Sequence, residues 1–183
     1  QTQTGMKNTR LVATVGHDSA AAVAAIPDFG ENKLYISIGT NVSMGVEQAK
    51  CLLTREGYLK GFKNTGGIDR KKIIYRDFSA CWHLNEFIRT RREQGVTYSF
   101  TDLINMALEA RNPVPWFDVE ALTFNDAGGD FCKKMNQYFA ETGQRQLTED
   151  GEFVRSIYES IVLKIRHYAE ALKELGITFD RIN

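Results

Sequence analysis

Cysteine is scarce in this 183-residue sequence and never closely spaced: Cys51, Cys81 and Cys132 lie far apart, with no Cys-x-x-Cys pair. That pattern argues against a disulfide framework or a cysteine-based zinc site, and it points to a reducing, cytosolic compartment. Neither sign of charge is in excess, with 23 Lys and Arg against 23 Asp and Glu. The balance removes any whole-molecule attraction to nucleic acid or to an anionic membrane. No apolar run approaches the roughly 20 residues of a bilayer span, and nothing after Gln1 reads as a signal peptide. Internal repeats, low-complexity tracts and a Gly-Lys-Thr/Ser phosphate loop are all missing.

What is present is the material of one globular core. Hydrophobic residues make up 43% of the chain, and a chain of this size hides roughly 70% of its unfolded surface without staples. The chain opens on Gln1 and closes on Ile177 to Asn183, a strand-like run that directly follows a helix. We expect a piece of a longer protein.

The run Arg10 to Val15 reads as a strand ending at Gly16. Ser19 to Ala25 is alanine-rich and favours a helix, closed by the turn residues of Pro27 to Gly30. Lys33 to Ile38 and Val42 to Glu47 read as strands joined by a Gly39-Thr40-Asn41 hairpin turn, and β character is expected to continue through Cys51 to Phe62. From Lys72 to Arg92 the apolar positions fit a helix, with Trp82 in the core. Helices follow over Phe100 to Ala110, around Phe131, Met135 and Phe139, and from Phe153 to Leu172, where Gly176 supplies the stop. The loop from Asn112 to Asp118 holds two of the three prolines. The class is mixed α/β.

Two segments have the composition of sites. Gly16-His17-Asp18 joins a strand to a helix, where Asp18 serves either as a helix cap or as a carboxylate facing a cleft. In the second role it could accept a proton from a substrate hydroxyl. Gly39-Thr40 serves either as a plain hairpin turn or as a phosphate turn, with glycine allowing close approach and the Thr hydroxyl donating beside it. His83 and His167 stand alone, without metal-type spacing, and read as structural or surface residues. Arg70-Lys71-Lys72, Arg89 and Arg91-Arg92 read as solvated helix faces, interleaved with Asp69, Asp77, Glu86 and Glu93.

The order of the segments adds what none has alone. Leu11 through Pro27, then Leu34-Tyr-Ile-Ser-Ile-Gly-Thr40 and Met44-Gly-Val-Glu47, resemble the FGGY carbohydrate kinases, and within them the rhamnulokinase branch. The register continues through Asn64-Thr-Gly-Gly67, Ala80-Cys-Trp82, Glu141-Thr-Gly-Gln144 and Glu152 to Ser160. The chain departs from the branch at Asn41-Val42-Ser43, Thr65, Asp77 and Asn85, where the branch has Trp-Ser-Leu, Glu, Asn and Gln.

The resemblance implies an actin-like, ribonuclease-H-like α/β fold, truncated here before its last strands. Residues 1–28 would be the tail of the N-terminal domain and 33–183 part of the C-terminal, ATP-side domain. It further implies ATP with Mg²⁺ phosphorylating a deoxyketose such as rhamnulose. Asp18 would be the catalytic base, with His17, Ser19 and Asp77 also on the sugar, and Gly39, Thr40 and Asn85 on ATP. The partners implied are the sugar and ATP, with no nucleic acid and no membrane; self-association into a homo-oligomer stays open. Two alternatives remain: a fuculose- or xylulose-type kinase of the same family, and a non-catalytic actin-like binding or regulatory protein.

Overall fold

A computed structural model describes residue 5, residues 18–27 and residues 32–183, with the side chains of residues 18–20 outside that description. The strand expected over Arg10 to Val15, together with Gly16 and His17, lies outside the described residues, as do residues 28–30 of the expected turn. Among the described residues five strands form one sheet in the order β3-β4-β2-β1-β5, where β1 is Lys33–Ile38, β2 Asn41–Gln48, β3 Lys63–Gly66, β4 Lys72–Ser79 and β5 Arg181–Ile182. The chain divides into two compact units, one of residues 1–35, 45–75 and 179–183, the other of residues 36–44 and 76–178.

In the first unit, α1 (Asp18–Ala24) places Val23 in a small core with Tyr35 and Ile73, flanked by Ile26 and Tyr75. β5 runs parallel to β1, Lys33 opposite Arg181, as the strand-like C-terminal run leads one to expect. β3 and β4 pair antiparallel, Lys63 opposite Tyr75. Asn64 fastens the preceding loop by accepting from the Leu52 amide and donating to the Leu52 carbonyl, at 2.8 and 3.0 Å. Close packing of β2 on β4 requires Gly45, because a Cβ there would lie 2.8 Å from the Tyr75 Cβ and nearer still to the Ile74 carbonyl.

Two expectations are corrected here. The β character expected through Cys51 to Phe62 gives way to a short helix, α2 (Arg55–Leu59). Thr54 caps it by accepting from the Gly57 amide at 3.0 Å, a local signal stronger than the scattered apolar residues around it. The Arg70-Lys71-Lys72 cluster lies in the β3–β4 turn and at the start of β4, not on a helix. Asp69 and Arg70 both have positive φ, and the Lys71 ammonium pairs with the buried Glu47 carboxylate at 3.0 Å.

The second unit is mainly helical: α3 (Cys81–Glu93), α4 (Phe100–Glu109), a 3-10 turn at Leu122–Phe124, α5 (Phe131–Glu141) and α6 (Asp150–Glu174). The single helix expected from Lys72 to Arg92 is instead β4 followed by α3. The residues of Lys72 to Ser79 include isoleucine, tyrosine and phenylalanine and suit a strand, and the ladder to β3 outweighs the helical spacing of the same side chains. Ser99 and Asp102 form a reciprocal capping box at the start of α4, and α4 packs along α6. α6 ends as its sequence implies. Gly176, at φ +79°, donates to the Lys173 carbonyl while Ile177 donates to that of Leu172, a complete Schellman motif. Among the described residues no helix is long and apolar enough to cross a membrane.

Candidate functional site

The hairpin turn between β1 and β2 is bound to the N-terminus of α3. The Thr40 carbonyl accepts from the Ala80 and Trp82 amides at 3.0 and 3.1 Å, and the Gly39 carbonyl accepts from the Cys81 amide at 3.2 Å. A helix N-terminus leaves backbone N–H groups without intrahelical partners. α3 has Ala80 at its cap with no side-chain hydrogen bond, so the turn's carbonyls do that work. Gly39, Thr40 and α3 therefore form one piece of structure.

Glycine at position 39 is not demanded by the fold. Its φ is not in the left-handed region, and an added Cβ would meet only the Asn41 carbonyl, at 3.7 Å. The Gly39 amide is already taken by that carbonyl at 2.9 Å. What glycine leaves at this exposed turn is room for a group to approach beside the Thr40 side chain, which is exposed as well.

Asn85 is exposed on α3, one turn beyond Cys81, and Asp77 is half-buried near the end of β4, just before that helix. Gly39, Thr40, Asp77 and Asn85 thus share the second unit, and the turn and α3 are hydrogen-bonded together. Asp18 and Ser19 are the first two residues of α1, in the first unit, where the backbone alone is described; His17 lies outside the described residues.

Three expectations change around α3. Trp82, expected in the core, is half-buried, and its neighbour His83 takes the core position with no exposed surface. The His83 Nε2–H donates to the Val119 carbonyl at 3.0 Å, and its ring stacks on Phe131 with edges toward Phe117 and Phe124. Burial lowers its pKa to about 4, against smaller raising effects of the Val119 hydrogen bond and the Glu86 charge. Arg91 is not solvated: its guanidinium lies over the Phe87 and Phe153 rings and pairs with Asp150 at 2.5 Å. Arg89 pairs along the helix with Glu86 and Glu93, but Glu86 is buried rather than on the solvated face expected for it.

Sequence reasoning missed Glu86 and Thr90 as buried anchors. The Glu86 carboxylate accepts from the Gly128 amide at 3.2 Å, and the Thr90 hydroxyl oxygen accepts from the Phe131 amide at 3.0 Å. Burial works to raise the Glu86 carboxyl pKa, but the Arg89 and Gly128 hydrogen bonds outweigh it and hold it low. The signal was the placement of His83, Glu86 and Thr90 on one helical face (i, i+3, i+7) beside the apolar positions. Burial pushes the Cys81 thiol upward, so the cysteine at the start of α3 stays protonated and is a poor nucleophile.

No family profile matches the chain. Rhamnulokinase from Bacteroides thetaiotaomicron is 31% identical over 173 residues, which cover 94% of this chain and 35% of that protein. Nearly the whole chain is thus similar to one stretch of a rhamnulokinase. Rhamnulokinases from Enterococcus faecalis and Halalkalibacterium halodurans are each 25% identical over 93% of the chain. The chain spans about a third of the length of these relatives.

Among solved structures, xylulose kinase from Rhodospirillum rubrum aligns over 89% of this chain and 31% of its own, with a TM-score of 0.60 at 14% identity. Xylulose kinase from Bifidobacterium adolescentis aligns over 89% and 30%, with a TM-score of 0.52 at 17% identity. At such identities the likeness carries the fold, and the fold is the actin-like α/β fold of sugar kinases, as the resemblance implies.

Proposed function

We propose that the complete protein transfers the terminal phosphoryl group of ATP to a deoxyketose such as rhamnulose. In this reading residues 1–28 end an N-terminal domain, and 33–183 form part of the ATP-side domain. The observation that carries the reading is the match of nearly the whole chain to rhamnulokinases, 31% identical in the Bacteroides protein. The Gly39–Thr40 turn supports it, as an exposed turn where glycine serves neither φ nor packing.

Phosphoryl transfer depends mainly on positioning and on neutralising charge. Asp18 accepts the proton of the attacking sugar hydroxyl while His17 and Ser19 hold the sugar beside it. Gly39 lets the phosphates approach the turn, the Thr40 hydroxyl donates to them, and Asn85 holds ATP from the exposed face of α3. When bound with ATP, Mg²⁺ would supply positive charge to offset that of the phosphates, and such an ion ordinarily keeps most of its waters rather than entering an all-protein cage. Among the described residues no three His, Cys, Asp or Glu side chains group as metal ligands.

Asp77 bears on the choice of sugar. A carboxylate only accepts hydrogen bonds, whereas the amide of the branch both donates and accepts. The substrate atom facing Asp77 is therefore a donating hydroxyl, which keeps fuculose and xylulose in the test beside rhamnulose. A cytosolic setting fits three free thiols, Cys51, Cys81 and Cys132.

The test is Mg-ATP-dependent turnover of the complete protein on a panel of ketoses, with Asp18→Asn alongside. Asn caps a helix about as well as Asp but cannot take the proton. We expect kcat to fall on the order of 10²- to 10⁴-fold with thermal stability unchanged. Near-normal kcat in the Asn variant would reduce Asp18 to a helix cap, and turnover of none of the sugars would remove the kinase reading.

A further inference from the structure

The face of α3 turned to the segment 119–131 carries three buried polar side chains where apolar packing would be ordinary. His83, Glu86 and Thr90 are 0%, 6% and 2% exposed. Each makes a directional bond to the main chain of that segment: His83 to the Val119 carbonyl, Glu86 to the Gly128 amide and Thr90 to the Phe131 amide. Arg89 adds a fourth, donating to the Gly129 carbonyl at 2.7 Å. The residues just before that segment are held from α6. Ser160 accepts from the Phe117 amide at 3.0 Å, and Ser156 donates to the Pro115 carbonyl at 2.6 Å, both from α6.

Apolar packing already resists sliding of a helix along its axis, and directional hydrogen bonds add a sharper distance and angle requirement. A shift of one residue's rise, about 1.5 Å, would stretch and misalign all three donor–acceptor pairs, and a buried group left without its partner costs roughly 1–3 kcal/mol. The seam therefore sets the axial position of α3. At the N-terminus of the same helix, directly before His83, the Ala80, Cys81 and Trp82 amides hold the carbonyls of Gly39 and Thr40.

We propose that His83, Glu86 and Thr90 are positioning residues for the nucleotide side of the site, fixing α3 axially and through it the Gly39–Thr40 turn and Asn85. The inference rests on the kinase reading for its kinetic consequence but not for its mechanical one. The bonds of the seam go to the main chain of residues 119–131. The seam acts through the helix, and a misplacement of roughly 1 Å from a distant substitution can cost about 10²-fold in rate.

The test uses the complete protein with Thr90→Val, which keeps the shape and removes the acceptor, His83→Leu, which removes the donor, and Glu86→Gln, which keeps an acceptor for Gly128. Hydrogen–deuterium exchange at the amides of residues 80–82 is the mechanical readout. The expected result is faster exchange there in Thr90→Val and His83→Leu, with Glu86→Gln near wild type. KM for Mg-ATP should rise on the order of 10-fold while KM for the ketose stays level. Unchanged protection at 80–82 in variants whose melting temperature has dropped would overturn the inference, because the seam would then be holding the fold alone. Altered exchange in a complete protein without kinase activity would uphold the coupling and discard the kinase reading, so the two failures are told apart.

Discussion

Thr40 and Trp82 are joined through a single carbonyl: the Trp82 amide donates to the Thr40 oxygen at 3.1 Å, and the Ala80 amide donates to the same oxygen at 3.0 Å. A hairpin tip and a helix N-terminus, about 40 residues apart in the sequence, thereby satisfy each other's open backbone groups. The proposed phosphate turn inherits its position from α3 rather than from its own two residues.

Gly39 and Gly45 should respond oppositely to alanine. At Gly39 an added Cβ meets only the Asn41 carbonyl at 3.7 Å, so Gly39→Ala should change stability by no more than about 0.5 kcal/mol. It should nonetheless weaken Mg-ATP binding by about tenfold, or about 1.4 kcal/mol, because the methyl occupies the phosphate approach. At Gly45 the Cβ would collide with the Ile74 carbonyl and the Tyr75 side chain, and Gly45→Ala should cost at least about 1–3 kcal/mol of stability. Urea melts and calorimetric ATP titrations of the two variants would check the contrast. Unaltered ATP binding in Gly39→Ala would count against the phosphate role.

His83 should make stability depend on pH in mildly acid solution. Its folded pKa, about 4, lies below the ordinary value of 6.5, chiefly because burial disfavours the imidazolium. As pH falls from 6.5 toward 4 the unfolded chain gains a proton that the folded one refuses, so the contribution is fully present above about 6.5 and is lost on the way down. The ceiling is about 3 kcal/mol, given 1.36 kcal/mol per unit. The difference in unfolding free energy between wild type and His83→Leu, measured from pH 7 to 4, should shrink as the pH drops. A difference independent of pH would show that His83 titrates normally.

Arg91 should prove structural despite its place in a basic cluster. Its side chain is 16% exposed, sits over Phe87 and Phe153, and pairs with an Asp150 carboxylate that also accepts from the Tyr98 hydroxyl at 2.6 Å. Arg91→Ala should lower stability by about 2 kcal/mol, between the surface and the buried ion-pair ranges. Arg91→Lys should restore only part of this, since an ammonium lacks the planar fork and stacks poorly. Denaturant midpoints of the two variants decide the matter, and equal stability of Arg91→Ala and wild type would return Arg91 to the solvated face first expected for it.

Local chemistry written into neighbouring residues was legible from the sequence. The β1–β2 hairpin around Gly39, the capped helix from Phe100, the glycine stop at Gly176 and the strand-like run near the C-terminus all depend on contacts a few residues apart or on simple periodicity. So did the order of segments that marks a sugar-kinase relative. Lys72 to Ser79 was misread because its apolar spacing suits helix and strand alike, and the choice falls to the ladder with Lys63–Gly66, a partner no local pattern names. Trp82 yields the core position expected for it to His83 for a similar reason. Hydrophobicity favours burying the indole, but only the folded chain offers the Val119 carbonyl and the three phenylalanine rings that let an imidazole sit inside without an unmet donor. The composition of the candidate phosphate turn belongs to the sequence, whereas its attachment to α3 and the polar seam behind it arise from backbone hydrogen bonds between distant segments, which exist only once the tertiary structure has brought them together.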